Sequence, residues 1–172
     1  LREFKSGRKR ADLIIVTKCP NNLSIDEQNK VVKKLKLEAH QKVYFSTFAY
    51  HKPINENGMS LELPSKFLLL TGVAQPKYIT NFLATTNTEF RHIRYKDHHH
   101  FRDKDYYQIR KACEEYDTPY ILTTTKDFMR IDQSHYELSK LKVLQLPVEV
   151  QILNNESQLT EVIHSVLSSY SN

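Results

Sequence analysis

Asp97-His98-His99-His100 places one carboxylate beside three imidazoles, within the stretch "YKDHHHFRDKD" that runs from Tyr95 to Asp105. Three histidines in a row invite a metal. Adjacent side chains, however, point to opposite faces of a strand and lie roughly 100° apart on a helix, whereas metal pairs favour i, i+2 or i, i+4 spacing. Only His98 with His100, in an extended loop, keeps that option open, and with no thiolate partner nearby no metal site is expected. Asp97-His98 is more informative. A carboxylate beside an imidazole raises its basicity and fixes its orientation, as a general base or a cation that stabilises a transition state requires. The plainer reading of the same dipeptide is a solvated loop.

Two further stretches carry similar chemistry. Thr123-Thr124-Thr125-Lys126-Asp127 and Thr17-Lys18 each put a lysine just after an apolar run, where hydroxyls and an ammonium can hold a phosphate, a nucleotide base or a carboxylate. Taken singly, each also reads as a helix-capping turn with a surface lysine. No Gly-x-x-x-x-Gly-Lys-[Ser/Thr], Gly-x-Gly-x-x-Gly or Gly-x-Ser-x-Gly occurs. With 3 glycines in all, Gly7, Gly58 and Gly72, no loop that cradles nucleotide phosphates is expected from these residues.

Composition narrows the class without choosing a ligand. The 172 residues are 40% hydrophobic, enough for one compact domain or two joined lobes with a core. The net charge of +5 is a modest excess, carried largely by Arg8-Lys9-Arg10 and by Lys30, Lys33, Lys34 and Lys36. A nucleic-acid binder using that basic run would need strongly salt-dependent affinity, which so small an excess does not suggest. Cys19 and Cys113 stand far apart with no Cys-x-x-Cys, so neither a zinc site nor a disulfide framework is indicated, and a reducing compartment fits best. No apolar run reaches membrane-spanning length and "LREFKSGRKR" is no signal peptide, so the chain reads as soluble. With no initiator Met before a strongly apolar strand, it is expected to be a fragment.

The elements that would position these residues alternate. Leu13–Val16 predicts a buried strand; Ser24-x-x-Glu27 is a capping box opening a helix with Ile25, Val32, Leu35 and Ala39 on one stripe, to about His40. Val43–Phe48 predicts another strand, and residues 50–65 a connector. Phe67–Thr71 predicts a strand, Pro76 the first turn of a helix faced by Ile79, Phe82 and Leu83, and Phe90 to Tyr95 a further strand. Asp103 is read as opening a helix with Tyr106, Ile109, Cys113 and Tyr116 on one stripe. Pro119–Leu122 and Val143–Leu146 are the last two strands, and Leu159, Val162, Ile163, Val166 and Leu167 a closing amphipathic helix. Strand followed by helix, repeated, predicts an α/β fold with a largely parallel sheet and flanking helices. Ligands of such sheets bind beyond the carboxyl ends of the strands, which here carry Thr17-Lys18, Thr71-Gly72, Asp97-His98 and Thr123–Asp127.

In order and rough spacing, Leu1-Arg2-Glu3, Arg10-Ala11-Asp12 before "LIIVTKCP", Thr71-Gly72-Val73-Ala74 with Pro76, Asp97-His98-His99 with Phe101, and Thr123-Thr124 with Lys126-Asp127 and Arg130 resemble the tetraacyldisaccharide 4'-kinases, the lipid A kinases of Gram-negative bacteria. The resemblance implies an enzyme of lipopolysaccharide biosynthesis that uses ATP and Mg²⁺ to phosphorylate the 4'-hydroxyl of tetraacyldisaccharide 1-phosphate at the cytoplasmic face of the inner membrane. It also implies that the P-loop, metal-binding acids and membrane anchor lie upstream of Leu1. On that reading residues 1–50 are the tail of the P-loop kinase lobe, 51–65 the linker, and 66–172 a Rossmann-like carboxyl-terminal lobe. The isolated chain would then be inactive, with no cofactor bound.

The same resemblance assigns His98 as the active-site histidine, for which the adjacent Asp97 is read as the orienter, and places Arg2, Glu3 and Lys18 at the nucleotide-side cleft. His99, Lys126 and Asp127 match motif positions without an assigned role, and Thr125 stands where the family usually has Glu. The partners implied are the lipid A precursor and the membrane surface, with no nucleic acid; an exposed sheet edge offers a route to dimerisation. The alternative class is a non-catalytic α/β module that holds an anionic ligand or partner with its strand-end lysines.

Overall fold

The structure, a computed structural model, describes residues 5–169. Arg2 and Glu3 lie outside the described residues. The chain forms two compact units, one of Leu1–Ala49 with Glu149–Asn172 and one of Tyr50–Val148.

In the first unit a 3-10 turn, Lys5–Arg10, precedes β1 (Leu13–Val16), α1 (Ile25–Leu35) and β2 (Lys42–Tyr50). β1 and β2 run parallel, with Leu13 opposite Lys42 and Val16 opposite Phe45. The capping box forms: the Glu27 N–H donates to Ser24 Oγ at 3.3 Å and the Ser24 N–H to Glu27 Oε2 at 2.9 Å. α1 stops well before His40 because Lys36 turns into the left-handed region at φ 47°, a C-terminal cap that ends the hydrogen-bond ladder. Its apolar stripe is not buried, and Ile25 stands in solvent.

The sheet order is β1-β2-β7, where β7 (Val148–Ile152) is a strand absent from the sequence expectation. Val148, Val150 and Ile152 alternate there with Glu149 and Gln151, the period of a strand with two unlike faces. α5 (Glu156–Ser169) closes the unit, with Leu159 buried. The closing helix thus groups with the amino-terminal strands, whereas the sequence placed it at the end of a continuous second lobe.

The second unit is built on β3 (Lys66–Thr71), β4 (Glu89–Arg94), β5 (Tyr120–Thr124) and β6 (Lys142–Leu146), in the order β4-β3-β5-β6 with every neighbour parallel. Helices cover both faces, which is why "FLLL" runs without a polar break. On one face Leu68, Leu70, Ile121 and Val143 pack against Tyr106, Ile109, Ala112 and Cys113 of α3 (Asp103–Glu115). On the other, Phe67, Leu69, Leu122 and Leu144 pack against Ile79 and Leu83 of α2 (Lys77–Leu83). Each leucine, isoleucine, valine or phenylalanine so withdrawn from water contributes about 1.5–3 kcal/mol.

Residues read as a connector belong to this unit: Ile54 exchanges two 2.9 Å backbone hydrogen bonds with Gln145 of β6. Pro76 caps α2 at φ −68°. Asp103 is the first residue of α3, but the cap is made by Asp105, which accepts the Arg102 N–H at 2.9 Å. No described helix is long and apolar enough to cross a membrane.

Candidate functional site

The carboxyl edge of the second unit's sheet gathers most of the expected residues. Its base is buried. Thr124 ends β5 and caps α4 (Thr125–Phe128), its hydroxyl accepting the Asp127 N–H at 3.1 Å and donating to Asp127 Oδ2 at 2.8 Å. The same carboxylate oxygen accepts the Gly72 N–H at 2.8 Å, so Asp127, 1% exposed, ties the end of β5 to the end of β3. A Cβ on Gly72 would lie 2.9 Å from Asp127 Oδ1 and 3.4 Å from the Lys96 carbonyl, so this close approach admits no side chain. Thr123 adds a second tie, donating to the Leu70 carbonyl at 2.8 Å.

Above the base is an exposed rim. Asp97 Oδ1 accepts from Lys126 Nζ at 2.8 Å and from the His98 N–H at 3.0 Å. The Lys126 hydrogen bond, aided by its charge and by the His98 contacts and opposed by desolvation, holds the Asp97 carboxyl below its usual range. His98 sits in the left-handed region at φ 61°, a conformation that costs most residues roughly 1–2 kcal/mol and that the Asp97 contact to its N–H supports. Its ring is 70% exposed, with Nε2 3.8 Å from Asp97 Oδ2, too far for a hydrogen bond, and Nδ1 2.9 Å from Arg130 Nη2. Arg130 in turn has Nη1 3.8 Å from Asp127 Oδ1, and that nitrogen is buried without a hydrogen-bond partner.

His99 turns the other way. Its Nε2 lies 3.0 Å from Oδ2 of the buried Asp105, while its ring stacks on Tyr95 at 4.4 Å and meets Phe101 edge-on at 5.1 Å. It anchors the loop to α3, leaving His100 exposed. The three histidines therefore diverge, and no group of three or more His, Cys, Asp or Glu that could hold a metal occurs among the described residues.

Asp97, His98, Lys126 and Asp127 thus share one edge. Lys18 belongs to the first unit, just beyond β1 at φ 63°. Thr125 opens α4 with its side chain exposed. Arg130, which the sequence offered only as part of a motif, proves to be the residue that meets the His98 ring; its i, i+3 spacing from Asp127 was the available signal. His92 was not singled out, yet its Nε2 lies 2.8 Å from the Thr71 hydroxyl, and burial, aided by Arg94, pushes its pKa down.

An α/β unit whose parallel sheet presents a histidine, an arginine and a lysine beyond its carboxyl edge has groups there that can hydrogen-bond an anion. The chain belongs to the tetraacyldisaccharide-1-P 4'-kinase family, which matches residues 1–168. It is 35% identical over 179 residues to a tetraacyldisaccharide 4'-kinase of Flavobacterium psychrophilum, covering 100% of this chain and 50% of that protein. To that of Bacteroides thetaiotaomicron it is 32% identical over 174 residues, covering 91% and 46%. The chain spans about half the length of the curated relatives it matches. Among solved structures, LpxK from Aquifex aeolicus, in complex with ATP, superposes with a TM-score of 0.58 over 96% of this chain and 46% of its own, at 14% identity, a likeness of fold.

Proposed function

We propose that this chain is part of an ATP-dependent kinase of lipid A biosynthesis that phosphorylates the 4'-hydroxyl of tetraacyldisaccharide 1-phosphate, working at the cytoplasmic face of the inner membrane. The observation that carries this reading is the His98 ring held beside Arg130 at the carboxyl edge of a parallel sheet, with Lys126 two bonded contacts away through Asp97. In such a transfer the 4'-oxygen bonds to the γ-phosphorus, the bond from that phosphorus to the β–γ bridging oxygen breaks to leave ADP, and the hydroxyl proton passes to water. The protein's work is positioning and charge stabilisation.

His98 is the residue of this chain that faces the moving phosphoryl. Asp97 sets its backbone and restrains Lys126, while Asp127 fixes the floor beneath both. ATP supplies the phosphoryl group. The strand-end cations fit its negative charge, but no glycine-rich loop in these residues fits a nucleotide triphosphate. Mg²⁺ does not fit the described residues, because Asp97 and Asp127 are already engaged by Lys126, Thr124 and Gly72 and no third ligand joins them.

The test is transfer of labelled γ-phosphate from ATP to the 4'-position of tetraacyldisaccharide 1-phosphate by the full-length protein that carries this chain. Label in the lipid supports the reading. Binding of phosphate or lipid with no transfer would instead establish the anion-binding module.

A further inference from the structure

We infer that Arg130 is a positioning residue that fixes the His98 ring with Nδ1 as acceptor, leaving Nε2–H as a hydrogen-bond donor to an anionic phosphoryl oxygen. This rests on the reading of His98 as the phosphoryl-facing residue. A guanidinium has donors and no acceptor. The 2.9 Å contact between Arg130 Nη2 and His98 Nδ1 is therefore a hydrogen bond only if Nδ1 keeps its lone pair. A ring with that lone pair free is neutral and carries its proton on Nε2. A general base acting through Nε2 would need the opposite arrangement, with the proton on Nδ1. Held in this way, the ring neither takes nor gives a proton during transfer; it stabilises charge by donating a hydrogen bond.

Among the described residues, Asp97 does not compete for that role. Asp97 is committed to Lys126 and the His98 N–H, and its Oδ2 stands 3.8 Å from Nε2. Arg130 itself is held from below: its N–H donates to the Asp127 carbonyl at 2.9 Å, and its Nη1 lies 3.8 Å from Oδ1 of the buried Asp127. A link thus runs from the Gly72 N–H through Asp127 and Arg130 to the imidazole.

Long-range ¹H–¹⁵N NMR of the 172-residue protein reads the His98 tautomer without any assay of activity. The expected spectrum shows a protonated Nε2 and an unprotonated Nδ1, with the Nδ1 signal, more than the Nε2 signal, moved by Arg130→Met. A wild-type ring protonated on Nδ1, or an Nδ1 signal indifferent to Arg130→Met, overturns the proposal; the wild-type spectrum decides even if the variant fails to fold.

In the full-length kinase, His98→Gln, whose amide supplies an N–H donor, should keep at least about tenfold more kcat than His98→Ala. Arg130→Met should lower kcat about tenfold beside His98 but by less than about threefold in the His98→Gln background, the coupling expected of residues that act through one another. Equal losses in both backgrounds would refute a positioning role. If the NMR result holds and the full-length protein transfers no phosphate, the Arg130–His98 assignment stands and the kinase reading falls.

Discussion

The base and the rim of the same sheet edge are built on opposite terms. At the base, Asp127 is 1% exposed and its carboxylate accepts from the Gly72 N–H and the Thr124 O–H, two donors that it holds together. At the rim, His98 is 70% exposed in a strained backbone conformation and is touched by long side chains that could meet a ligand equally well. Buried polar contacts of the first kind set shape, because leaving them unmade costs more than making them yields. Exposed contacts of the second kind contribute little to folding and remain available for chemistry.

Removing the floor should have the largest effect on stability. Asp127→Ala removes the acceptor of the Gly72 N–H and of the Thr124 O–H and should lower unfolding free energy in urea by about 3 kcal/mol. Gly72→Ala places a Cβ against Asp127 Oδ1 and should cost about 2 kcal/mol by the same titration. If either were neutral, the base would not be what shapes the edge. His99→Phe keeps a ring beside Tyr95 but loses the contact to Asp105, for an expected loss of about 1 kcal/mol.

Smallest is the change at the rim. Lys126→Met should leave the urea midpoint nearly unchanged while raising the titration of the Asp97 carboxyl toward its ordinary range, read by carboxyl ¹³C NMR. The sign follows from linkage: a carboxyl whose folded pKa is depressed stabilises the fold above its unfolded pKa and loses that contribution as pH falls through the folded value. Lys126→Met should therefore weaken the acid-side loss. An unmoved Asp97 titration would show that the Lys126 pair does not persist in solution.

The parts of this arrangement legible from residue types are those with a period or a turn chemistry. "FLLL" announced a buried strand, and Ser24 with Glu27 announced a helix start, whereas "LIIV", with the pattern of a strand buried on both faces, leaves Ile15 46% exposed. Strand followed by helix places Asp97-His98 and Thr123–Asp127 at one edge from residue types alone. The misses have physical causes. α1 ended early because one residue, Lys36, adopted a left-handed conformation that no local pattern marks. β7 was hidden behind Pro147, and its grouping with β1 and β2 is a long-range pairing that local periodicity cannot express. Adjacent histidines look alike as letters; only packing against Tyr95 and Asp105 separates the anchoring His99 from the outward His98. The meeting of Arg130 with His98, 32 positions apart, depends on the parallel pairing of β3 with β4 and β5.

The contrast between shaping base and exposed rim is tested most directly by His98→Ala in the full-length protein that carries this chain, with kcat for the proposed transfer and urea stability measured on the same preparation. The expected result is a loss of kcat of at least about 100-fold with a stability change within about 0.5 kcal/mol. Turnover close to wild type would contradict it.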